Sequence, residues 1–247
     1  MTPREPITNV VNFDNDVSYV RRVIVEDEVD ISNPDSGIVN FHMAFYHNFK
    51  HHFDLLLLLY SQGAPIADMQ EEFPFVVNSL ERFLAHPQHV PFNFTKRLDD
   101  YVKGMWLVSL ALLLGVDSGL FYRLLKCLGN EGQDALFEKL VSTRFTGRPA
   151  APGLLYPKAY QPLLDAATAA PGQQAGPMRR FLGAWYRNMK PTYWHDNHKG
   201  QDGGGFFGYW CWEAAAVSVA FDTDDLAYRD LPYYPQDMAA FGRKPRA

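Results

Sequence analysis

Apolar residues recur along this chain at three- and four-residue intervals, and no stretch alternates convincingly. That spacing predicts helices throughout. The first falls over residues 14–30, with Val17, Val20, Val23 and Ile24 turned inward and acidic residues at its end. Asn33-Pro34-Asp35-Ser36 breaks the chain and can cap a second helix. The second helix carries Phe41, Phe45, Phe49, Phe53, Leu56 and Tyr60 in a ladder and ends at Gly63. A third places Ile66, Met69, Phe73, Val76, Leu80 and Phe83 on one stripe, with Pro74 expected to kink it or sit near its start. Residues 86–94 read as a loop. Thr95 can cap a fourth helix, which leads into the apolar run 105–116. Ser118 can cap a fifth, ended by Gly129, and a sixth covers about 132–142.

The pattern then changes. Residues 146–177 hold six Pro, four Gly and eight Ala, which predicts a loop or a broken helix. Helical spacing returns at 178–189 with Phe181, Leu182, Trp185, Tyr186 and Met189. After Gly203-Gly204-Gly205 comes a stretch, 206–221, whose one ionisable carboxylate is Glu213. It reads as a helix apolar on every face, hence buried, with Ala214, Ala215 and Ala216 allowing close approach of neighbours. Glu213 then needs donors in the core. Asp222–Asp225 is expected to cap a short last helix, and Pro232 and Pro235 to hold the end of the chain extended. The pattern as a whole predicts an all-α fold: two closely packed helical halves, with antiparallel helix pairs around a buried, aromatic-rich helix.

Composition narrows the reading. The longest apolar run, 12 residues, is too short to span a bilayer, and the start has no apolar segment of signal-peptide type. Cys127 and Cys211 lie far apart in apolar surroundings, as small buried hydrophobes in a reducing compartment. A cytoplasmic location is expected. Charge is unevenly placed. Residues 1–40 hold eight Asp/Glu and three Lys/Arg, whereas 41–247 hold twenty of each. A second acidic cluster comprises Asp222, Asp224, Asp225, Asp230 and Asp237, opposed by Arg229. Residues 144–190 go the other way, with seven Lys/Arg and one acid, Asp165. An acidic balance argues against nucleic acid as the main partner and permits a basic protein.

Candidate chemistry is sparse. His47 and His51 stand one helical turn apart beside His52, a spacing that can hold a metal, yet no zincin-type Glu follows His47. His195-Asp196-Asn197-His198 resembles part of a His-Asn-His nuclease motif, which needs a hairpin followed by a helix. The Gly203–Gly205 run before a helix can cradle an anion, but lacks P-loop Lys or Ser/Thr. Tyr233-Tyr234 between prolines reads as a rigid lid on the core or, alternatively, as an aromatic hot spot. A metal-dependent hydrolase using His47/His51 or His195/His198, and a helical adaptor for another protein, remain as alternatives.

The residues Gly208-Tyr-Trp-x-Trp-Glu-Ala-Ala-Ala216, Asp224-Asp225 and Pro232-Tyr-Tyr-Pro-x-Asp-Met238 resemble the C-terminal domain of the PoNi family, immunity proteins paired with PoNe polymorphic-toxin DNases. Trp185-Tyr186 and the Trp194-His195 region fit the same domain. Tyr60-Ser-x-Gly-x-Pro-Ile66 followed by Phe73 resembles the family's N-terminal domain. The chain departs from the pattern in its Pro/Ala-rich segment and in Cys211-Trp212. The resemblance implies an N-terminal-like helical domain over 1–124 and a C-terminal-like one over 125–247. It also implies a non-catalytic cytoplasmic protein, with no cofactor and no metal. Its role would be to bind a cognate PoNe-type DNase toxin and occlude the active site or DNA groove.

An acidic face suits a DNase, whose groove must be basic to hold phosphates. The expected partner-binding residues are therefore Glu26, Asp27, Glu28 and Asp30 at the end of the first helix, and Asp222, Asp224 and Asp225 in the second cluster. The first set is preferred, because acids at a helix C-terminus oppose the helix dipole and local stability does not explain them.

Overall fold

The helical spacing is realised over most of the described residues. The structure, a computed structural model, describes residues 2–8, 11–33, 35, 37–200 and 205–244. Among these are ten α-helices and no strand. They are α1 (Phe13–Ser32), α2 (Phe41–Gln62), α3 (Ile66–Ala85), α4 (Leu98–Leu114), α5 (Ser118–Leu128), α6 (Ala135–Val141), α7 (Pro157–Thr168), α8 (Ala175–Asn188), α9 (Trp212–Ala220) and α10 (Gln236–Gly242). They form two compact units. One runs up to Pro91 and includes Asp196–Gly208; the other holds Phe92–His195 and the chain from Tyr209 onward.

In the first unit α2 lies between α1 and α3, antiparallel to both. Its C-terminal Gln62 donates to Asp14 at the start of α1 (2.7 Å), and its N-terminal Phe45 ring lies 6.0 Å from His86 beyond the end of α3. Because α2 has a neighbour on either side, every residue from His52 to Gln62 is buried. Polar groups in that stretch find partners on the same and neighbouring elements, as burial favours. His52 bonds Glu72 of α3 (2.6 Å), Lys50 pairs with Asp54 one turn away, and the Ser61 hydroxyl donates to the Phe207 carbonyl (2.6 Å). The end of α2 is fixed twice. Gly63 adopts the left-handed conformation (φ 93°) that closes a helix with few steric costs. Arg4 then donates to the carbonyls of Tyr60 (3.1 Å) and Ala64 (2.8 Å), with its guanidinium 4.7 Å above the Tyr60 ring.

In the second unit α4 is the central element, touching α5, α6, α9 and α10, while α7 and α8 pair as a hairpin. From Tyr101 to Leu114 α4 is buried at every position but Lys103. Asp134 starts α6 by accepting from the Leu136 and Phe137 amides (3.0 and 2.9 Å), and also takes bonds from the Leu155 amide (2.8 Å) and the Tyr101 hydroxyl (3.2 Å). Burial pushes its carboxyl up while these bonds pull it down. Arg148 grips Glu138 through two bonds (2.7 and 2.8 Å), which ties the following loop to α6.

Several boundaries differ from those the sequence suggests. Thr95 does not cap α4; it turns back onto Asn93 (2.8 Å), and α4 begins after Arg97. Asp117, not Ser118, caps α5. The Pro/Ala-rich segment contains α7, because Pro157 sits in the first helical turn, where no amide is required, and the alanines favour helix. α3 runs through Pro74. The stretch 206–211 is not helical: Gly208 takes φ 92°, and α9 covers only nine residues from Trp212. No helix starts at Asp222–Asp225; irregular chain and turns occupy 222–231, and α10 follows Pro235, so the chain end is not extended. Cys127 is half-buried, unlike Cys211. Pro34, Ser36, Gly203 and Gly204 lie outside the described residues.

Gly63 offers a direct test of the α2 terminus. A Cβ there would run into the backbone carbonyl of Thr2, in a conformation an L side chain disfavours. Gly63→Ala is expected to lower unfolding free energy by about 2 kcal/mol in urea denaturation. An unchanged midpoint would contradict this account.

Candidate functional site

The two expected acidic clusters are placed differently from each other. On α1, Asp27 reaches across to His51 of α2 (2.8 Å), and Glu28 accepts two bonds from Arg82 of α3 (2.6 and 2.8 Å). These two carboxylates tie the three helices of the first unit together. The opposition to the α1 dipole is thereby offset by cationic or polar partners from α2 and α3. Glu26 and Asp30 point outward and are exposed; Glu26 meets the loose i,i+4 partner Arg22 (3.6 Å).

In the second cluster Asp225 is also engaged inside its own unit. It accepts from the Tyr234 hydroxyl (2.9 Å) and from Arg243 (2.6 Å), which in turn donates to the Thr223 carbonyl (2.9 Å). Asp224 accepts from the Leu226 amide (3.0 Å) and shapes a turn. Asp222 and Asp224 are exposed. Of the seven carboxylates, Glu26, Asp30, Asp222 and Asp224 therefore face solvent. The opposite sign is carried by α8 and its end, where Arg179, Arg180, Arg187 and Lys190 are exposed.

Glu213 lies at the centre of the second unit with 0% exposure. Its Oε1 accepts from the Trp185 indole (2.9 Å) and the Tyr160 hydroxyl (3.2 Å). The donors are neutral, so no buried cation balances a charge there. Burial accordingly pushes its carboxyl from 4.5 up to about 7, against the pull of hydrogen bonds. The rings around it interlock: Trp194 lies 5.2 Å from Trp106 and 5.3 Å from Trp185, and Tyr101 lies 5.0 Å from Tyr160. Tyr234 is buried with its hydroxyl bonded, and Tyr233 stacks on Tyr186 (5.3 Å). The pair covers the core.

The rings of His47 and His51 lie 6.3 Å apart, but the candidate histidines gather no metal-binding set among the described residues. His47 is exposed, His51 serves Asp27 and His52 serves Glu72. His195 stacks on Tyr186 at 4.2 Å, and 197–199 form a single 3-10 turn instead of the hairpin a His-Asn-His nuclease needs. Among the described residues no three His, Cys, Asp or Glu are grouped to hold a metal, and no helix is long and apolar enough to cross a membrane.

Comparison with known proteins fits this arrangement. The family described as PoNe immunity protein (PoNi), N-terminal, matches residues 4–126, and PoNe immunity proteins (PoNi), C-terminal, matches 132–238. The chain belongs to the PoNi family. A search of curated proteins finds no match. Among solved structures, protein PA2201 from Pseudomonas aeruginosa shares the fold, with a TM-score of 0.70 and 17% identity, over 98% of this chain and 99% of that one.

The sequence reading missed Tyr19, Val25 and Val29, which α1 turns outward, each more than half exposed. Their signal was present in the spacing. Val25 and Val29 recur one turn apart, but out of phase with the inward stripe of Phe13, Val17 and Val20.

Two tests follow from the geometry of the carboxylates. Unfolded, Glu213 ionises near 4.5; folded, it keeps its proton to about 7. Its contribution to stability is then full below 4.5 and is lost as pH rises to 7, about 3 kcal/mol in all. Thermal midpoints should fall across that window for the wild type and stay flatter for Glu213→Gln, whose amide mimics the protonated acid. Separately, reversing Asp27 and Glu28 to Lys should lower the thermal midpoint by several degrees, because the inter-helix clips are lost. Reversing Glu26 and Asp30 should leave it nearly unchanged. Equal shifts in the two double variants would refute the division of α1 into inner and outer acids.

Proposed function

We propose that this PoNi protein neutralises a cognate PoNe-type DNase toxin stoichiometrically in the cytoplasm, by binding it and occluding its active site or DNA groove. The observation that carries the reading is the outward acidic edge of α1 on a chain that matches the immunity family. Glu26 and Asp30 are exposed, while Asp27 and Glu28 hold the helix that presents them. A nuclease groove must be cationic to hold phosphates, so carboxylates on a rigid helix are complementary to it. Asp222 and Asp224 offer a second, smaller set. No catalytic step is assigned to the chain; its task is capture, and long-range attraction speeds capture before the toxin meets DNA.

The test is co-expression with the toxin's nuclease domain, coupled to binding measurements on the purified pair. Wild-type protein should restore growth and form a tight 1:1 complex. Glu26→Lys/Asp30→Lys should slow association about tenfold at low salt, with the difference shrinking at physiological ionic strength, where exposed charges are screened over about 8 Å. A wild-type protein that neither protects nor binds would overturn the reading.

A further inference from the structure

The two units carry opposite charge. The first contains six Lys/Arg against fifteen Asp/Glu, the second seventeen against thirteen. Much of the second unit's cationic surface lies on one helix. α8 has no acidic residue. Arg179, Arg180 and Arg187 are exposed on the face opposite Met178, Phe181, Leu182 and Trp185, and Lys190 is exposed just past the helix end. No hydrogen bond or ion pair among the described residues occupies these four heads. Gly176 and Gly183 are exposed on the same face, and a Cβ at Gly183 would meet nothing within 4 Å. Packing therefore does not require glycine at Gly183, and glycine inside a helix weakens it. The face is a bare strip bordered by guanidinium groups. The nearby acids have other duties. Asp165 of α7 takes the Gln161 amide (2.9 Å), and Asp99 of α4 accepts from the Tyr193 amide (3.0 Å) beyond Lys190.

The complement stands on the same chain. α3 carries Asp68, Glu71, Glu72 and Glu81 against the single cation Arg82. Arg82 is already matched by Glu28, and Glu72 by His52. Glu71 is exposed, with no partner among the described residues. One turn on, Phe75 is 53% exposed, its ring stacked on His52 at 6.0 Å. A lone surface phenylalanine is ordinary. This one is held in place beside an unmatched carboxylate. We infer that α3 of one copy docks on α8 of a second copy, with Glu71 pairing to the arginines and Phe75 lying on the bare strip at Gly183. Guanidinium groups on either side then meet both a carboxylate and a ring face. Charge selects this occupant. Nucleic acid taken up by α8 would be opposed by the first unit, which has nine more acids than bases. A cationic nuclease groove is repelled by α8. The contact joins two different faces, so every open assembly keeps one unused α3 and one unused α8. It does not use the outward edge of α1, and the inference stands or falls apart from toxin binding.

Sedimentation velocity over a concentration series, with the full chain, tests the pairing. At low salt the wild type should rise above the monomer mass as concentration increases, and return to it as salt screens the charges. Arg180→Glu/Arg187→Glu and, separately, Glu71→Lys/Phe75→Ala should each weaken self-association by about tenfold or more. Each of these variants keeps one intact face. Mixed together they should form a 1:1 dimer that grows no further, which neither forms alone. Circular dichroism and thermal midpoints report folding. If loss of the Phe75 stack on His52 perturbs the fold, Glu71→Lys alone takes its place. Gly183→Gln is a further check: glutamine is the better helix former, so the thermal midpoint should rise while association weakens. A wild type that stays monomeric at every concentration in low salt would overturn the inference, and so would a mixture of the two variants that stays monomeric. If the α8 substitutions weaken toxin binding while self-association is unchanged, the face belongs to the toxin and the inference fails.

Discussion

The second unit depends on a carboxyl group kept out of water. Glu213 enters from α9, Trp185 from α8 and Tyr160 from α7, with α4 contributing Trp106 and Tyr101 to the surrounding rings. An aromatic core packed by shape alone can settle in several registers. One carboxyl oxygen taking two donors, 2.9 and 3.2 Å away, accepts far fewer arrangements, since an unmatched donor or acceptor at 0% exposure is costly. The shift of Glu213 to about 7 is the mark of that position: solvation is given up, and neutral donors replace only part of it. Asp134 repeats the device at the start of α6, where its oxygens join α4, α6 and the chain before α7.

The first unit meets the same constraint with inter-helix clips nearer to water. Asp27 to His51, Glu28 to Arg82 and His52 to Glu72 connect α1 to α2, α1 to α3 and α2 to α3. The Glu28–Arg82 pair is more than a third exposed on both sides, so its energetic worth is small; its geometric effect is to fix how α1 is rotated on its neighbours. That rotation decides which α1 residues face out. The acidic run of α1 is therefore two sets of residues with different duties, separated by the helical period.

The fold class was legible because helical spacing survives every local exception. The ladder in α2 and its Gly63 terminus followed from the sequence, and so did the burial of Glu213. What was not legible depended on contacts far apart in sequence or on single backbone choices. Gly208 at positive φ stops a helix that the apolar composition of 206–221 suggests. Asp225 looks like a helix cap until Tyr234 and Arg243 reach it from later in the chain. Asp27 and Glu28 look like surplus charge until His51 and Arg82 arrive from other helices. The outward apolar residues of α1 were hidden because an inward stripe had already accounted for the helix.

Rigidity of α1 links these parts to function. A disordered acidic segment could attract a basic toxin, but it would lose conformational freedom on binding, at a cost of about 1 kcal/mol per ordered residue. Here that ordering is completed at folding: Asn12 caps the helix through the Asn15 amide, Phe13, Val17 and Val20 bury its inner face, and Asp27 and Glu28 lock its far end. Acids near the C-terminus still oppose the dipole, and the exposed valines still weaken the helix, so the outward face is carried at some expense of local stability. Such a surface persists when its use lies outside the fold. The inner acids make the helix rigid, and the outer residues gain a fixed spacing from it. Because the two sets interleave along one helix, changing the outer residues can retune partner choice without dismantling the unit that displays them.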